Sequence, residues 1–151
     1  VNRVEPFGWH IVLHFDAKDL PGYSSLLDDL PMPYLIDHMA RVPAADGIDQ
    51  KPFEQLLERM VTDDKCWVKI SCAERLTAGR VAPYDDVVPF ARALVAAAPD
   101  RVLWGTDWPH PNMAVMPDEG HLFDLLSAYV PDEALRNQIL VDNPQSLYDF
   151  D

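Results

Sequence analysis

The 151 residues are 48% apolar, which suits one folded domain with its own core and excludes a disordered chain. Lys and Arg number 12 against 25 Asp and Glu, a net charge of −13 that repels phosphate backbones and anionic bilayers, so neither nucleic acid nor a membrane is an expected partner. A small anionic substrate stays open, because a few placed arginines set the field inside a pocket.

HIVLHF, residues 10–15, predicts a first strand whose alternation sets His10, Val12 and His14 on one face. Pro21 and Gly22 predict a loop before a short helix over 24–30. PYLIDH, 33–38, predicts a second strand ending on Asp37 and His38, followed by a polar loop with Pro43 and Gly47. Pro52 opens a predicted helix in which Phe53, Leu56, Leu57, Met60 and Val61 share one face. CWVKIS, 66–71, predicts a third strand, and the polar stretch AERLTAGR after it carries Arg75 and Arg80. Residues 85–98 predict a helix with Pro89 in its first turns, and RVLWGT, 101–106, a fourth strand. Two helices follow over 121–130 and 131–141, the second with Asp132 and Glu133 near its positive end. Asn143 and Pro144 then predict a cap and first position for a last turn ending near Tyr148.

Strand and helix alternate four times, which implies parallel strands joined by crossover helices. An open doubly wound sheet and half of a (β/α)8 barrel both fit, the whole barrel needing about 250 residues. No glycine-rich phosphate loop follows any strand, which favours the α/β half-barrel. The chain opens on Val1 and reaches a strand-like run within about ten residues, so a piece of a longer protein is expected. Cys66 and Cys72 end a run that spans roughly 20 Å as a strand, too far for a disulfide. With no CxxC pair, secretory signal or apolar run of membrane length, a reducing cytoplasm is the expected compartment.

The chemistry gathers at the predicted strand ends. VLWGTDWPHPN, 102–112, reads as a buried strand stopped at Gly105, with Asp107 at its carboxyl end and Pro109 and Pro111 holding a rigid exit loop. Parallel strands would bring Asp107 to one rim with His14, His38 and Arg75. Such a set supports attack by water on a polarised carbonyl: Asp107 or a histidine takes the proton, an imidazole donates to the oxyanion, and Arg75 holds a substrate carboxylate. Two histidines and an aspartate could instead hold zinc or a related ion. His110 is near enough to Asp107 to line the site. His10 reads as an interior residue, His121 as a cap or surface group, Trp108 as packing, and the pairs Asp28–Asp29 and Asp85–Asp86 as solvated faces.

GWHIVLHFDAKDL, YLIDHMARV, WVKISCAERL, RVLWGTDWPHPN and ILVDNPQSLYDF together resemble the second half of the amidohydrolase-related barrels, and within them the 2-pyrone-4,6-dicarboxylate hydrolases, lactonases of bacterial aromatic-acid degradation. The resemblance covers nearly the whole chain. It implies strands five to eight of one (β/α)8 domain, residues 1–151 being its C-terminal half, and opening of 2-pyrone-4,6-dicarboxylate to 4-oxalomesaconate by activated water. It further implies Asp107 as the base that activates water, His38 lining the site and Arg75 binding a substrate carboxylate; with the strand-end reading, Asp107 and His38 are the catalytic candidates and Arg75, His14 and His110 the candidate substrate contacts. The partner it implies is the missing N-terminal half, which would carry a first-strand HxH motif and further arginines. No metal or cofactor is implied, but His14 stands where these lactonases often have tyrosine and metal-binding relatives have histidine. A divalent metal, serving a related hydrolase or decarboxylase, is therefore the alternative, as is a catalytically incomplete fragment.

Overall fold

The β-branched and aromatic runs form four short strands: β1 (Ile11–Leu13), β2 (Tyr34–Ile36), β3 (Cys66–Ile70) and β4 (Val102–Trp104). In the computed structural model, which describes residues 3–79, 81–111 and 113–148, they make one parallel sheet in the order β1-β2-β3-β4. The order matches the sequence without the reversal of a doubly wound sheet, which decides between the two architectures.

Register fixes the two faces. Val12 lies beside Leu35, Leu35 beside Trp67, and Lys69 beside Leu103. The opposite face presents Tyr34, Ile36, Cys66, Val68, Ile70 and Val102 to the main core under the helices. Leu35, Trp67 and Leu103 form a second, small cluster with Leu147. One repeat further along this face, Lys69, like Asp37 beyond Leu35, reaches the carboxyl rim.

The helices are α1 (Leu20–Asp28), α2 (Lys51–Thr62), α3 (Ala73–Leu76), α4 (Val88–Ala97), α5 (Glu119–Tyr129), α6 (Glu133–Asn137) and α7 (Asn143–Tyr148). Helix α1 starts four residues before the expected position, because Pro21 falls where a missing N–H costs nothing. In α2, Phe53, Leu56 and Met60 are buried, whereas Val61 is 64% exposed, so the apolar stripe is narrower than its spacing suggests. Phe53 meets Phe90 edge-on at 4.9 Å and ties α2 to α4. The stretch read as polar after β3 is largely buried, through Ala73, Glu74, Leu76 and Thr77; Arg80 lies outside the described residues.

At the end of the chain, α6 runs through a π turn, Gln138–Asp142, into α7. Asn143 is therefore not a cap. Its backbone is helical, and its buried amide donates at 2.8 Å to the carbonyls of Pro99 and Val102, fastening α7 to β4. The acidic pairs also depart from a purely solvated role: Asp28 pairs with Arg59 at 2.6 Å, and Asp86 accepts from Thr77 Oγ1 and Ala78 N. Cys66 and Cys72 are buried free thiols, and no described helix is long and apolar enough to cross a membrane.

Candidate active site

After β2, β3 and β4 the backbone turns left-handed just beyond the strand. After β2, His38, Met39, Ala40 and Arg41 all have φ of 50 to 53°. Cys72 after β3 has φ 68° and Asp107 after β4 has φ 72°. L-residues there are strained, and the fully buried Met39 and Ala40 supply the packing that holds the first of these turns. Gly105 takes no left-handed conformation, contrary to the reading of it as the turning residue; a side chain there would meet the Lys69 stem at 3.6 Å. The turn falls on Asp107 itself.

These turns bring His38, Arg75 and Asp107 together. His38 Nε2 lies 3.3 Å from Asp107 Oδ1 and 3.3 Å from Asp37 Oδ2, and its Nδ1 lies 2.8 Å from Ser71 Oγ. Two carboxylates at Nε2 place the ring proton there, so the Ser71 hydroxyl donates to Nδ1. Burial holds the His38 pKa below the usual imidazole range despite both carboxylates, with His14 and Lys69 adding to the lowering. The ring is thus neutral, with its Nε2–H beside both carboxylates at ion-pair distance and its hydrogen bond made at Nδ1 to Ser71.

Arg75 Nη2 lies 3.5 Å from Asp107 Oδ2 and donates to the Pro111 carbonyl. Its buried Nε has no partner among the described residues. Beside it, a cleft of about 390 Å³ is lined by Arg41, Glu74, Arg75, Val81, Met113 and Val115. Another cleft, about 500 Å³, opens near α1 and α2 and contains none of the strand-end residues.

His14 reaches the same rim, its ring 5.2 Å from that of His38. His110 does not line the cleft. It is buried, with Nδ1 3.0 Å from Glu74 Oε1 and Nε2 2.8 Å from Glu119 Oε1, so neither nitrogen is free for a substrate in this arrangement. Trp108, read as packing, is 76% exposed. His10 sits away from the rim against Tyr148, and His121 is exposed in the first turn of α5. Lys69, which the strand reading passed over, sets its ammonium 2.8 Å from Asp37 Oδ1 as an ion pair without hydrogen-bond alignment. Its signal was a lone cation within an otherwise apolar strand, on the face shared with Trp67. Ser71 and Glu74 had no comparable signal.

Two groups of side chains approach metal-ligand spacing, their donor atoms within 4.8 Å of one another: His38, Cys72 and Asp107, and Glu74, Asp107 and His110. Their chemistry does not fit a divalent cation. Burial, then Glu74 and Asp107, push the metal-free Cys72 thiol far above its usual range, which sets a cost on the thiolate that a cation would need. His110 is committed at both nitrogens, and Arg75 already stands beside Asp107.

A parallel run of βα units with an imidazole, a guanidinium and a carboxylate at the carboxyl ends of its strands is part of an α/β-barrel enzyme rim. The chain belongs to the amidohydrolase family Amidohydro_2, which it matches over residues 1–150. It is 44% identical over 155 residues to a 2-pyrone-4,6-dicarboxylate hydrolase of Comamonas testosteroni, covering 97% of this chain and 51% of that protein. It is 46% identical over 143 residues to a 4-sulfomuconolactone hydrolase of Rhizobium radiobacter, covering 93% and 47%. The crystal structure of a candidate 2-pyrone-4,6-dicarboxylic acid hydrolase from Pseudomonas putida superposes with a TM-score of 0.83 at 31% identity, over 99% of this chain and 55% of that one. The chain thus spans about half the length of the curated relatives it matches.

Proposed function

We propose that the full-length protein is a metal-independent lactonase that opens 2-pyrone-4,6-dicarboxylate to 4-oxalomesaconate in a reducing cytoplasm. In this reading, residues 1–151 supply strands five to eight of one barrel domain, and a front half supplies the remaining strands and substrate contacts. The observation that carries it is Asp107 set between the His38 imidazole at 3.3 Å and the Arg75 guanidinium at 3.5 Å, with Arg75 also lining an open cleft.

In the first step, Asp107 takes a proton from water as the water oxygen bonds to the lactone carbonyl carbon. The developing oxyanion accepts from the neutral His38 Nε2–H. The tetrahedral centre then collapses with cleavage of the ring C–O bond, leaving a new carboxyl group and an enolate, which takes the proton from Asp107 to become the enol and restores the carboxylate. Arg75, which lines the cleft, holds a ring carboxylate by charge-assisted hydrogen bonds, and His14 borders the ring.

The 46% identity to a 4-sulfomuconolactone hydrolase favours one second reading, a lactone bearing a sulfonate, which a guanidinium binds as readily. Steady-state assays of the full-length enzyme on both lactones discriminate: a higher kcat/KM for 2-pyrone-4,6-dicarboxylate supports the proposal, and the opposite order replaces it. Elemental analysis with and without chelator tests metal independence. Full activity at substoichiometric metal is expected; stoichiometric zinc or manganese with activity lost on its removal would reverse the assignment.

A further inference from the structure

Behind Asp107 lies a buried group that the proposed reaction does not use. Glu74, on α3, is fully buried; His110 is 2% exposed; Glu119, at the start of α5, is the outer member. The imidazole bridges the two carboxylates at 3.0 and 2.8 Å, while Glu74 Oε2 and Glu119 Oε2 are buried without partners among the described residues. Glu74, His110 and Asp107 each bring an atom within 4.8 Å of the others. The His110 backbone N–H also donates to the Asp107 carbonyl at 2.8 Å, across a loop whose two ends, Asp107 and His110, are both left-handed.

A buried Glu74–His110 pair, extended outward by a Glu119 side chain that is 43% exposed, is a poor stability device, because well-packed apolar side chains of similar volume usually stabilise as well as or better than a buried ion pair. What it does provide is a two-sided clamp: the loop after β4 is fixed to α3 on one side and to α5 on the other. We infer that His110 is a positioning residue, whose protonated ring holds the 107–111 loop between Glu74 and Glu119 so that the Asp107 carboxylate stays aligned between His38 and Arg75. This rests on the reading of Asp107 as the base.

Burial alone would lower the His110 pKa, but the bonds from Glu119 and Glu74 outweigh it and hold the pKa above the usual imidazole value of 6.5. The charged or titratable groups that face the ring are Glu74 from α3 and Glu119 from α5, with Asp107 of its own loop within 4.8 Å; Arg75 and Cys72 stand beside Asp107. Tyr84 and Tyr129, near Glu74, are pushed upward by burial and stay protonated. As pH rises through the raised His110 value, the ring loses a proton and one carboxylate loses its donor. The clamp opens on the alkaline side.

The test uses the full-length enzyme with 2-pyrone-4,6-dicarboxylate, or 4-sulfomuconolactone if that is the better substrate, and compares wild type, His110→Gln, Glu119→Gln and Asp107→Asn. His110→Gln should lower kcat by roughly 10- to 100-fold, with KM within about twofold, and should lose the alkaline limb of the kcat–pH profile. Glu119→Gln removes one of the two carboxylates that retain the proton and should move that limb to lower pH. It carries the test if His110→Gln does not fold by circular dichroism. Profiles that superimpose on wild type in every folded variant overturn the inference while Asp107→Asn stays impaired; near-normal turnover of Asp107→Asn overturns the base reading instead.

Discussion

Asp107 can face an imidazole and a guanidinium at once because its own backbone, at φ 72°, turns the carboxylate back over the strand it has just left. Asparagine keeps that shape and loses the proton acceptor. Asp107→Asn in the full-length enzyme should therefore lower kcat by about 10²–10⁴-fold with little change in KM, since the group acts on water and not on bound substrate. Arg75→Met should give the complementary pattern in the same assay. Loss of a charge-assisted bond worth about 1.5–3 kcal/mol raises KM roughly ten- to hundredfold, with a smaller effect on kcat. His38, Arg75 and Asp107 were legible in the sequence because parallel strands deliver their carboxyl ends to one rim, so a polar residue just past an apolar run declares its position. His14 followed from the same rule. The clamp on His110 was not legible: Glu74 and Glu119 meet it only after the β3 and β4 loops fold together, at 36 and 9 residues of separation. Composition around His110 placed it near the site but could not say which way its ring faced.

Among the elements, residue patterns placed the four strands and most of the core face of α2, since burial on one face leaves a direct imprint on residue order. The ends of elements were less readable, because there the backbone groups find partners far away in sequence. Arg101 shows the point, its Nη1 donating to the carbonyls of Met60, Asp63 and Cys66 and so closing the α2–β3 corner from the strand next door. Asn143 is the clearest case, a residue with the signature of a cap that instead sits inside a continuous helix and reaches back to β4. Asn143→Ala leaves the Pro99 and Val102 carbonyls without that donor and should destabilise the full-length protein by about 1–3 kcal/mol. Asn143→Asp replaces the donor with an acceptor facing two carbonyl oxygens and should cost more than alanine. Urea unfolding midpoints in the order wild type, Ala, Asp check the assignment; a midpoint for Asp equal to wild type would show that the amide bonds are dispensable.

For the molecule as a whole, the governing fact is a parallel sheet of four strands in sequential order, an arrangement that closes on itself only when eight strands complete the ring. Within the described residues β1 pairs with β2 alone and β4 with β3 alone, so one side of each has no strand partner. The β1 side is also the apolar one: Phe7 and Trp9 stack at 5.5 Å and are 68% and 61% exposed, and Val12 is half-exposed. Unpaired backbone donors and acceptors beside exposed aromatic rings are a template for pairing with another copy. Expressed alone, these 151 residues should therefore self-associate at micromolar concentration in sedimentation velocity. A lysine at the β1 edge opposes such pairing by placing charge where strands would meet, so Val12→Lys should shift the distribution toward monomer. A sharp, monomeric, cooperatively melting species from the unmodified residues would mean that the sheet edges are covered in some other way, and would remove the physical reason for requiring a complementary half.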